Sequence, residues 1–458
     1  MLFSFNRYVT LVFLLSTITA AHAADAVKPN VIVILADDLG LGDYSAYGTK
    51  DISTPAIDRL CREGTSFTNF RANSCVCSPT RAALLTGCYP DRVGVPGVIR
   101  HTPENSWGWL SPNAVLLPQV LKTAGYHSAL IGKWHLGLAS PNEPNERGFD
   151  FFHGFLGDMM DDYETHLRGG QNFMRRNKEL IDPRGHATEL FTDWACEYVT
   201  DRATVEKQSK ERSPFFLYLA YNAPHDPIQP GTEWLERVKR REPRMHPKRA
   251  GLVALIEQMD SGIGKLLEKL DQLSLRDNTL IFFTSDNGGI LGHGANNGPW
   301  RSEKQHFYEG GIRVPAIARW PGQIPANRHL NRSALTMDLF PTIAEAAGVK
   351  VDPTIDGISF LSSLQQSGDN APGLSDREFY FVRREGGINY GGKTIEALIQ
   401  GDWKIIQDNP FGPLELYNLK TDPNEAKNVA TEEKQIFQAM AAKLRLHIQH
   451  GGKVKWQE

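Results

Sequence analysis

The stretch Val31-Ile32-Val33-Ile34-Leu35-Ala36-Asp37-Asp38-Leu39-Gly40 decides the fold class. Val31 to Leu35 is a continuous, largely β-branched apolar run bounded by polar residues, the pattern of a strand buried on both faces. Asp37 and Asp38 follow directly. Neighbouring side chains on a regular strand point to opposite faces, so these two converge only if the chain turns, which Gly40 and Gly42 permit. Alone, this is an ordinary acidic turn. Thr284-Ser285-Asp286-Asn287-Gly288-Gly289 repeats the arrangement: an apolar strand ends in an oxygen-bearing pair followed by glycines. Asp37, Asp38, Asp286 and Asn287 together offer carboxylates and an amide with no soft donor. Hard oxygens suit Ca²⁺ or Mg²⁺ rather than Zn²⁺, and a site rich in protein oxygens with room for a substrate oxygen leans toward Ca²⁺.

Working outward, further strands are expected at 127–132, 215–221, 279–285 and 314–320, with helices at 114–124, 188–201, 248–273 and 337–347. Strands alternating with helices predict an α/β fold, a large, mostly parallel sheet flanked by helices, with functional residues beyond the carboxyl ends of its strands. After about residue 370 the pattern becomes short strands at 377–383, 396–400, 403–407 and 415–417, then an amphipathic helix at 432–450. This predicts a main domain over 24–370 and a smaller α+β unit with an antiparallel sheet over 371–458, joined near the polar, Gly- and Pro-containing stretch 365–373.

Composition excludes several classes. The 458 residues are 41 % hydrophobic and 22 % charged, as in a globular protein. A net charge of −3 supplies no global field for nucleic acid or an anionic membrane, so an anionic substrate must be held by a local basic cluster. Arg7, the apolar run Tyr8 to Ala20 and Ala21-His22-Ala23 read as an export signal over 1–23. That run is short for a bilayer span and no other segment is long enough, so no stable membrane anchor is expected. Five cysteines, Cys61, Cys75, Cys77, Cys88 and Cys196, leave at least one unpaired or modified.

One of these stands in the most specific segment of the chain, Cys77-Ser78-Pro79-Thr80-Arg81-Ala82-Ala83-Leu84-Leu85-Thr86-Gly87. Ser78 reads as an N-cap, Pro79 as the first helical residue and Gly87 as a stop. Cys77 would then face the free N–H groups of a helix N-terminus, where anions are favoured, with Arg81 leaning back toward it. Cys77-x-Pro79-x-Arg81 followed by Leu85-Thr86-Gly87 resembles the signature of the type I sulfatases, members of the alkaline phosphatase superfamily. The likeness extends in order through Gly132-Lys133-Trp134-His135, Ala223-Pro224-His225, Asp286-Asn287, Lys304 ahead of Tyr308-Glu309-Gly310-Gly311, and Leu416-Tyr417-Asn418-Leu419. Cys88 departs from the basic residue usual there; its pairing with Cys75 or Cys61 is left open.

The resemblance implies an exported enzyme, periplasmic or secreted in a bacterium and lysosomal or secreted in an animal. It implies that a formylglycine-generating enzyme oxidises Cys77. Asp37, Asp38, Asp286, Asn287 and the modified residue 77 would bind the cation. A hydroxyl of the hydrated aldehyde attacks sulfur, Lys133, Lys304 and His225 stabilise the sulfuryl oxygens, and His225, with Lys304, protonates the leaving alcohol. His135 takes the proton of the second hydroxyl to release sulfate, and Arg81 orients the diol and the carboxylates. Asp43, His153, His166, Arg168, His293, Trp300, Arg301, His306, Arg383 and Arg384 are candidates for ringing the pocket. The expected substrate is a sulfated carbohydrate or aryl sulfate; the competing readings are a phosphate or phosphonate ester hydrolase and an inactive sulfated-glycan binder.

Overall fold

The computed structural model describes residues 1, 28–209, 213–351, 354–366, 376–387 and 392–455. The expected signal at 1–23, except its first residue, and most of the expected linker at 365–373 lie outside the described residues.

The quoted stretch is the central strand, Asn30–Ala36 (β1), every residue of it buried. The other strands of its 10-stranded sheet are Thr65–Phe67 (β2), His127–Lys133 (β3), Phe151–Phe155 (β4), Met174–Arg176 (β5), Glu179–Leu180 (β6), Phe215–Ala220 (β7), Thr279–Ser285 (β8), Ala316–Arg319 (β9) and Arg328–Leu330 (β10). Their spatial order is β10-β2-β9-β8-β1-β7-β3-β4-β5-β6. The middle run β8-β1-β7-β3-β4 is parallel, with Val31 opposite both Phe216 and Leu280. Antiparallel pairs enter on either side of this run: β9 pairs that way with β8 and β2, and β5 with β4 and β6, while the outermost β10 pairs parallel with β2. The sheet is therefore mixed, parallel through its middle, with antiparallel pairs confined to the short strands flanking it.

Helices cover it in two groups. Pro55–Glu63 (α1) and Ala187–Ser209 (α4) pack on the long Pro247–Gln272 (α5); Cys77–Thr86 (α2) and Leu117–Lys122 (α3) pack on Leu339–Ala346 (α6). The expected helix 114–124 shortens to its middle because Pro118 suits only a first turn. A separate antiparallel sheet follows, made of Glu378–Arg384 (β11), Thr394–Gln400 (β12), Trp403–Gln407 (β13) and Glu415–Asn418 (β14), and Lys434–Gly451 (α7) packs on it. Its apolar cluster also takes in Cys75, Val76, Ala83, Phe307 and Met337, so this sheet buttresses the segment that leads into α2.

Asp260 on α5 does the capping for α1. Thr54, the N-cap residue, makes no side-chain capping bond, whereas Asp260 accepts the N–H groups of Ala56 and Ile57 at 3.0 and 2.8 Å. Asp260→Ala strands both donors in a buried interface. It is expected to lower unfolding free energy by about 1–3 kcal/mol, read as a lower urea midpoint at unchanged slope.

Candidate active site

All the strand-end residues lie where the parallel strands finish. Asp37 and Asp38 follow β1, Lys133 closes β3, Ser285-Asp286-Asn287 ends β8, and His225 follows β7. The turn that lets Asp37 and Asp38 converge is visible in the backbone, since Asp38 has φ 67°, a left-handed conformation that a short polar side chain tolerates. Leu39 N–H donates to Ser285 Oγ at 2.9 Å, tying the two strand ends together. Gly288 is required: a Cβ there would sit 2.0 Å from the Gly310 carbonyl oxygen, so the two glycine-bearing loops touch backbone to backbone.

The helix of the nucleophile segment begins two residues earlier than the sequence reading placed it. Cys77 is itself the first helical residue, and Val76 is the extended N-cap (φ −147°, ψ 159°) without a capping side chain. Ser78 instead accepts the N–H of Ile99 at 3.0 Å, anchoring the neighbouring loop. The uncapped end leaves the helix dipole at the site, as the anion argument requires.

Charge is paired tightly here. Cys77 Sγ lies 3.4 Å from Asp37 Oδ1, and Lys133 Nζ is 2.5 Å from Asp37 Oδ2. Lys304 Nζ lies 2.8 Å from Asp38 Oδ2, and Asn287 Nδ2 donates to Asp38 Oδ1 at 2.7 Å. Arg81, wholly buried, donates from Nε and Nη2 to Asp286 Oδ2 at 3.0 and 2.7 Å, and its Nη2 lies 3.4 Å from Asp37. Arg81 therefore reaches Cys77 through the carboxylates rather than directly. Burial would raise Asp37, but Lys133, His225, Arg81 and Lys304 hold it well below the usual carboxylate range. Asp286 goes the other way, pushed up to about 7 by burial and by the charge of Asp37.

That crowding is what a cation would relieve. Single donor atoms of Asp37, Asp38, Cys77 and His225 all lie within 4.8 Å of one another. Asn287 Oδ1, buried at the same strand end, has no hydrogen-bond partner. An unpartnered buried carbonyl beside clustered carboxylates fits a hard divalent ion.

The two histidines are poised differently. His135, at φ 61°, shares a hydrogen bond of 2.8 Å between Nε2 and the Ile99 carbonyl, while its buried Nδ1 has no partner. Burial, then the charges of Lys133 and Arg81, hold it well below the usual histidine range, so it is neutral with a free lone pair. His225 donates from Nδ1 to the Asp226 carbonyl at 2.7 Å, and its Nε2 is 3.7 Å from Asp38 Oδ2.

A cavity of about 230 Å³ opens over Cys77, His135, His225 and Lys304. Of the expected rim residues, Arg168 and Arg383 line it. His153 stacks on Trp194 at 3.5 Å, Asp43 is bound by Arg249, His306 is held 2.5 Å from Asp408, and Arg301 lies 3.7 Å over the Tyr308 ring. Arg100, Asp158 and Gln305 also line the cavity and were missed, because no motif or spacing marks them. The Tyr308 and Leu416-Tyr417 motifs prove to be a brace: both tyrosine hydroxyls donate to Glu415 at 2.7 Å, fixing the loop that carries Lys304. Cys61 and Cys75 are free thiols, so neither pairing open to Cys88 forms.

The comparisons agree with this geometry. The sulfatase family model matches residues 29–349, and a second, described as N-sulphoglucosamine sulphohydrolase, C-terminal, matches 299–451. The chain is 33 % identical to the N-acetylgalactosamine-6-sulfatase of Canis lupus familiaris, covering 86 % of this chain and 74 % of that protein. It is 29 % identical to the N-acetylgalactosamine-6-O-sulfatase of Bacteroides thetaiotaomicron, over 90 % and 92 % of the two chains. Among solved structures, Ps i-CgsB in complex with k-i-k-neocarrahexaose aligns with a TM-score of 0.83 at 31 % identity, over 94 % of this chain and 95 % of that one. A sheet ending in clustered carboxylates beside a helix-borne cysteine defines a hydrolase of the alkaline phosphatase-like fold. The chain belongs to the sulfatase family and is a sulfuric ester hydrolase.

Proposed function

We propose that the protein releases sulfate from a sulfated carbohydrate, with residue 77 matured to formylglycine and Ca²⁺ held by Asp37, Asp38, Asp286, Asn287 and residue 77. The observation that carries this reading is the position of Cys77, at an uncapped helix end, 3.4 Å from Asp37, inside a cluster of oxygen donors and two buried lysines. The sulfated sugars named for its relatives support the substrate class. Formylglycine supplies a hydrated aldehyde as nucleophile, and a bound divalent cation supplies Lewis-acid stabilisation of negative charge.

The chain's own residues do the rest. Lys133 and Lys304, each already at a carboxylate, present positive charge to the sulfuryl oxygens. His225, oriented by its Nδ1–H bond to the Asp226 carbonyl, gives a proton from Nε2 to the leaving alcohol when doubly protonated. His135 donates Nε2–H to Ile99 and so keeps its lone pair on Nδ1, ready to accept the proton that sulfate release requires. Arg81 fixes Asp286 and Asp37. Export through residues 1–23, maturation by a formylglycine-generating enzyme and a domain boundary near 370 complete the proposal. No helix among the described residues is long and apolar enough to cross a membrane.

The test uses protein co-produced with a formylglycine-generating enzyme and paired sulfate and phosphate esters of one leaving group. Sulfate turnover in excess is expected; preferential phosphate turnover would replace this reading by the phosphohydrolase one, and binding without sulfate release by the glycan-binding one. Exhaustive chelation should cut sulfate turnover by roughly 10³-fold, with Ca²⁺ restoring it better than Mg²⁺. Full turnover with no metal bound would refute the cation's part.

A further inference from the structure

Lys304 and Gln305 are neighbours in the chain and both line the reaction cavity, yet only the first has a part in the chemistry proposed above. Lys304 is committed to Asp38 at 2.7 Å. Neighbouring side chains of an extended chain point apart. These two reach one cavity because Gln305 has φ 78°, a left-handed backbone unfavourable for any residue with a Cβ. Fixed partners hold that conformation from both sides. Gln305 N–H donates to the Cys75 carbonyl at 2.9 Å, in the segment leading into α2, and its own carbonyl accepts Arg383 Nη1–H at 3.3 Å. Lys304 N–H donates to the Gly289 carbonyl at 3.2 Å, and Phe307 N–H to Asp408 at 2.8 Å. The side-chain amide, by contrast, makes no hydrogen bond among the described residues. A strained, fully tied backbone thus carries a side chain whose donor and acceptor are both open to a ligand.

We infer that Gln305 is a specificity-determining residue whose side-chain amide hydrogen-bonds a neutral hydroxyl on the sugar ring bearing the scissile sulfate. The inference rests on the sulfatase reading above and narrows its substrate to rings with a free hydroxyl near that sulfate. Position supports it: consecutive Cα atoms are about 3.8 Å apart, and Lys304 is the group presented to the sulfuryl oxygens, so Gln305 stands beside the sulfated ring rather than a remote one. Size supports it too. The cavity of about 230 Å³ lies below the range of roughly 300–1,000 Å³ usual for drug-sized ligands, so it holds one ring, whose hydroxyls must meet the wall. The chemistry selects the hydroxyl. An amide both donates and accepts, as a hydroxyl does, whereas a second anion would use the donor alone and face the carbonyl oxygen with its charge. Arg168, which also lines the cavity, fits a neutral ring: Asp158 takes two of its N–H groups at 3.0 Å and Asp161 a third at 2.8 Å, so two carboxylates offset its charge.

The experiment takes, from the galactose and glucose monosulfates, the one that the matured, Ca²⁺-loaded enzyme turns over fastest, together with its analogues lacking one hydroxyl each and phenyl sulfate. The readout is the ratio of kcat/KM on the full sugar to that on each deoxy analogue within one preparation, so a general loss of active enzyme cancels. In the native protein we expect a ratio of roughly 5 to 50 for at least one hydroxyl, falling toward unity in Gln305→Leu. Gln305→Gly relieves the left-handed backbone, so it should lose the ratio while keeping a urea midpoint no lower than the native one. A native ratio near unity for every hydroxyl overturns the inference. So does a ratio that survives in both variants, which is the result expected if Gln305 touches only the sulfate or serves only the scaffold. Sulfate release from phenyl sulfate but from no sugar also overturns it, leaving the sulfatase reading in place. No release from any probe sinks the sulfatase reading itself, and the inference with it.

Discussion

Replacing Cys77 by alanine should lower kcat by roughly 10⁴- to 10⁶-fold while leaving the fold intact. The two halves of that expectation have separate causes. Cys77 is 3 % exposed, and the contact of its sulfur given by the structure is the 3.4 Å approach to Asp37, so removing it deletes little packing. On the proposed mechanism the nucleophile is lost altogether, and Lys133 and Lys304 could then stabilise charge but attack nothing. As a thiol the residue is a poor nucleophile: burial, then the Asp37 carboxylate, raises its pKa well above the usual value. The proposed conversion to an aldehyde would remove that obstacle, so activity should track the fraction of chains matured at position 77, measured by peptide mass spectrometry. Cys77→Ser adds a second discrimination. A serine has one hydroxyl, so it can be sulfated once but has no neighbouring hydroxyl with which to expel the product; a single turnover at most is expected. Steady turnover by the alanine variant would end the proposal.

Lys404→Met is expected to destabilise the protein by about 3–5 kcal/mol. Lys404 on β13 is wholly buried and lies 2.7 Å from Glu425 and 3.1 Å from Glu309. Glu309 also binds Arg71 and Arg313, each at 2.8 Å, and its N–H donates to Glu425 at 2.7 Å. The network joins the C-terminal sheet to the loop after Lys304 and to the segment before α2, so the motif glutamate is a structural hub rather than a chemical group. Removing the lysine leaves the Glu425 carboxylate with a backbone donor and no counter-ion. Burial already raises Glu425, an effect that Lys404 offsets only in part. In the variant its folded pKa rises further above the unfolded value of 4.5. A raised carboxylate binds protons more tightly when folded, so the deficit grows as pH rises above the unfolded value and shrinks at acid pH. Lys404→Met with Glu425→Gln should recover part of the loss, since neither partner is then charged. Urea midpoints at two pH values check both points; equal deficits at both would show that packing, not charge, is responsible.

That the candidate site's polar residues cluster at one end of the sheet was legible in the sequence alone. Val31 to Leu35 can only be a buried strand, and a strand buried on both faces of a parallel sheet must deliver Asp37 and Asp38 to its carboxyl edge, as Thr279 to Ser285 delivers Asp286 and Asn287. These are local facts: hydrophobic period, chain direction and a turn that glycine allows. The helix at Cys77 was legible for the same reason, though its start shifted by two residues and Ser78 found a tertiary partner in Ile99 instead of capping it. The short outer strands were harder to read. Segments such as Thr65–Phe67 and Met174–Arg176 are too short to carry a period of their own and pair only because a neighbour offers an open edge.

The sequence by itself determined which residues could meet a cation and an anion, because those sit at the ends of periodic elements whose direction is fixed. Only the tertiary structure decided that Arg100 and Arg383 meet on the buried Glu385, that Glu309 serves the scaffold, and that Asn287 keeps an unpartnered side-chain carbonyl. The reason is range: a buried charge acquires its role from partners on other elements, and side chains hundreds of residues apart leave no periodic trace of their meeting.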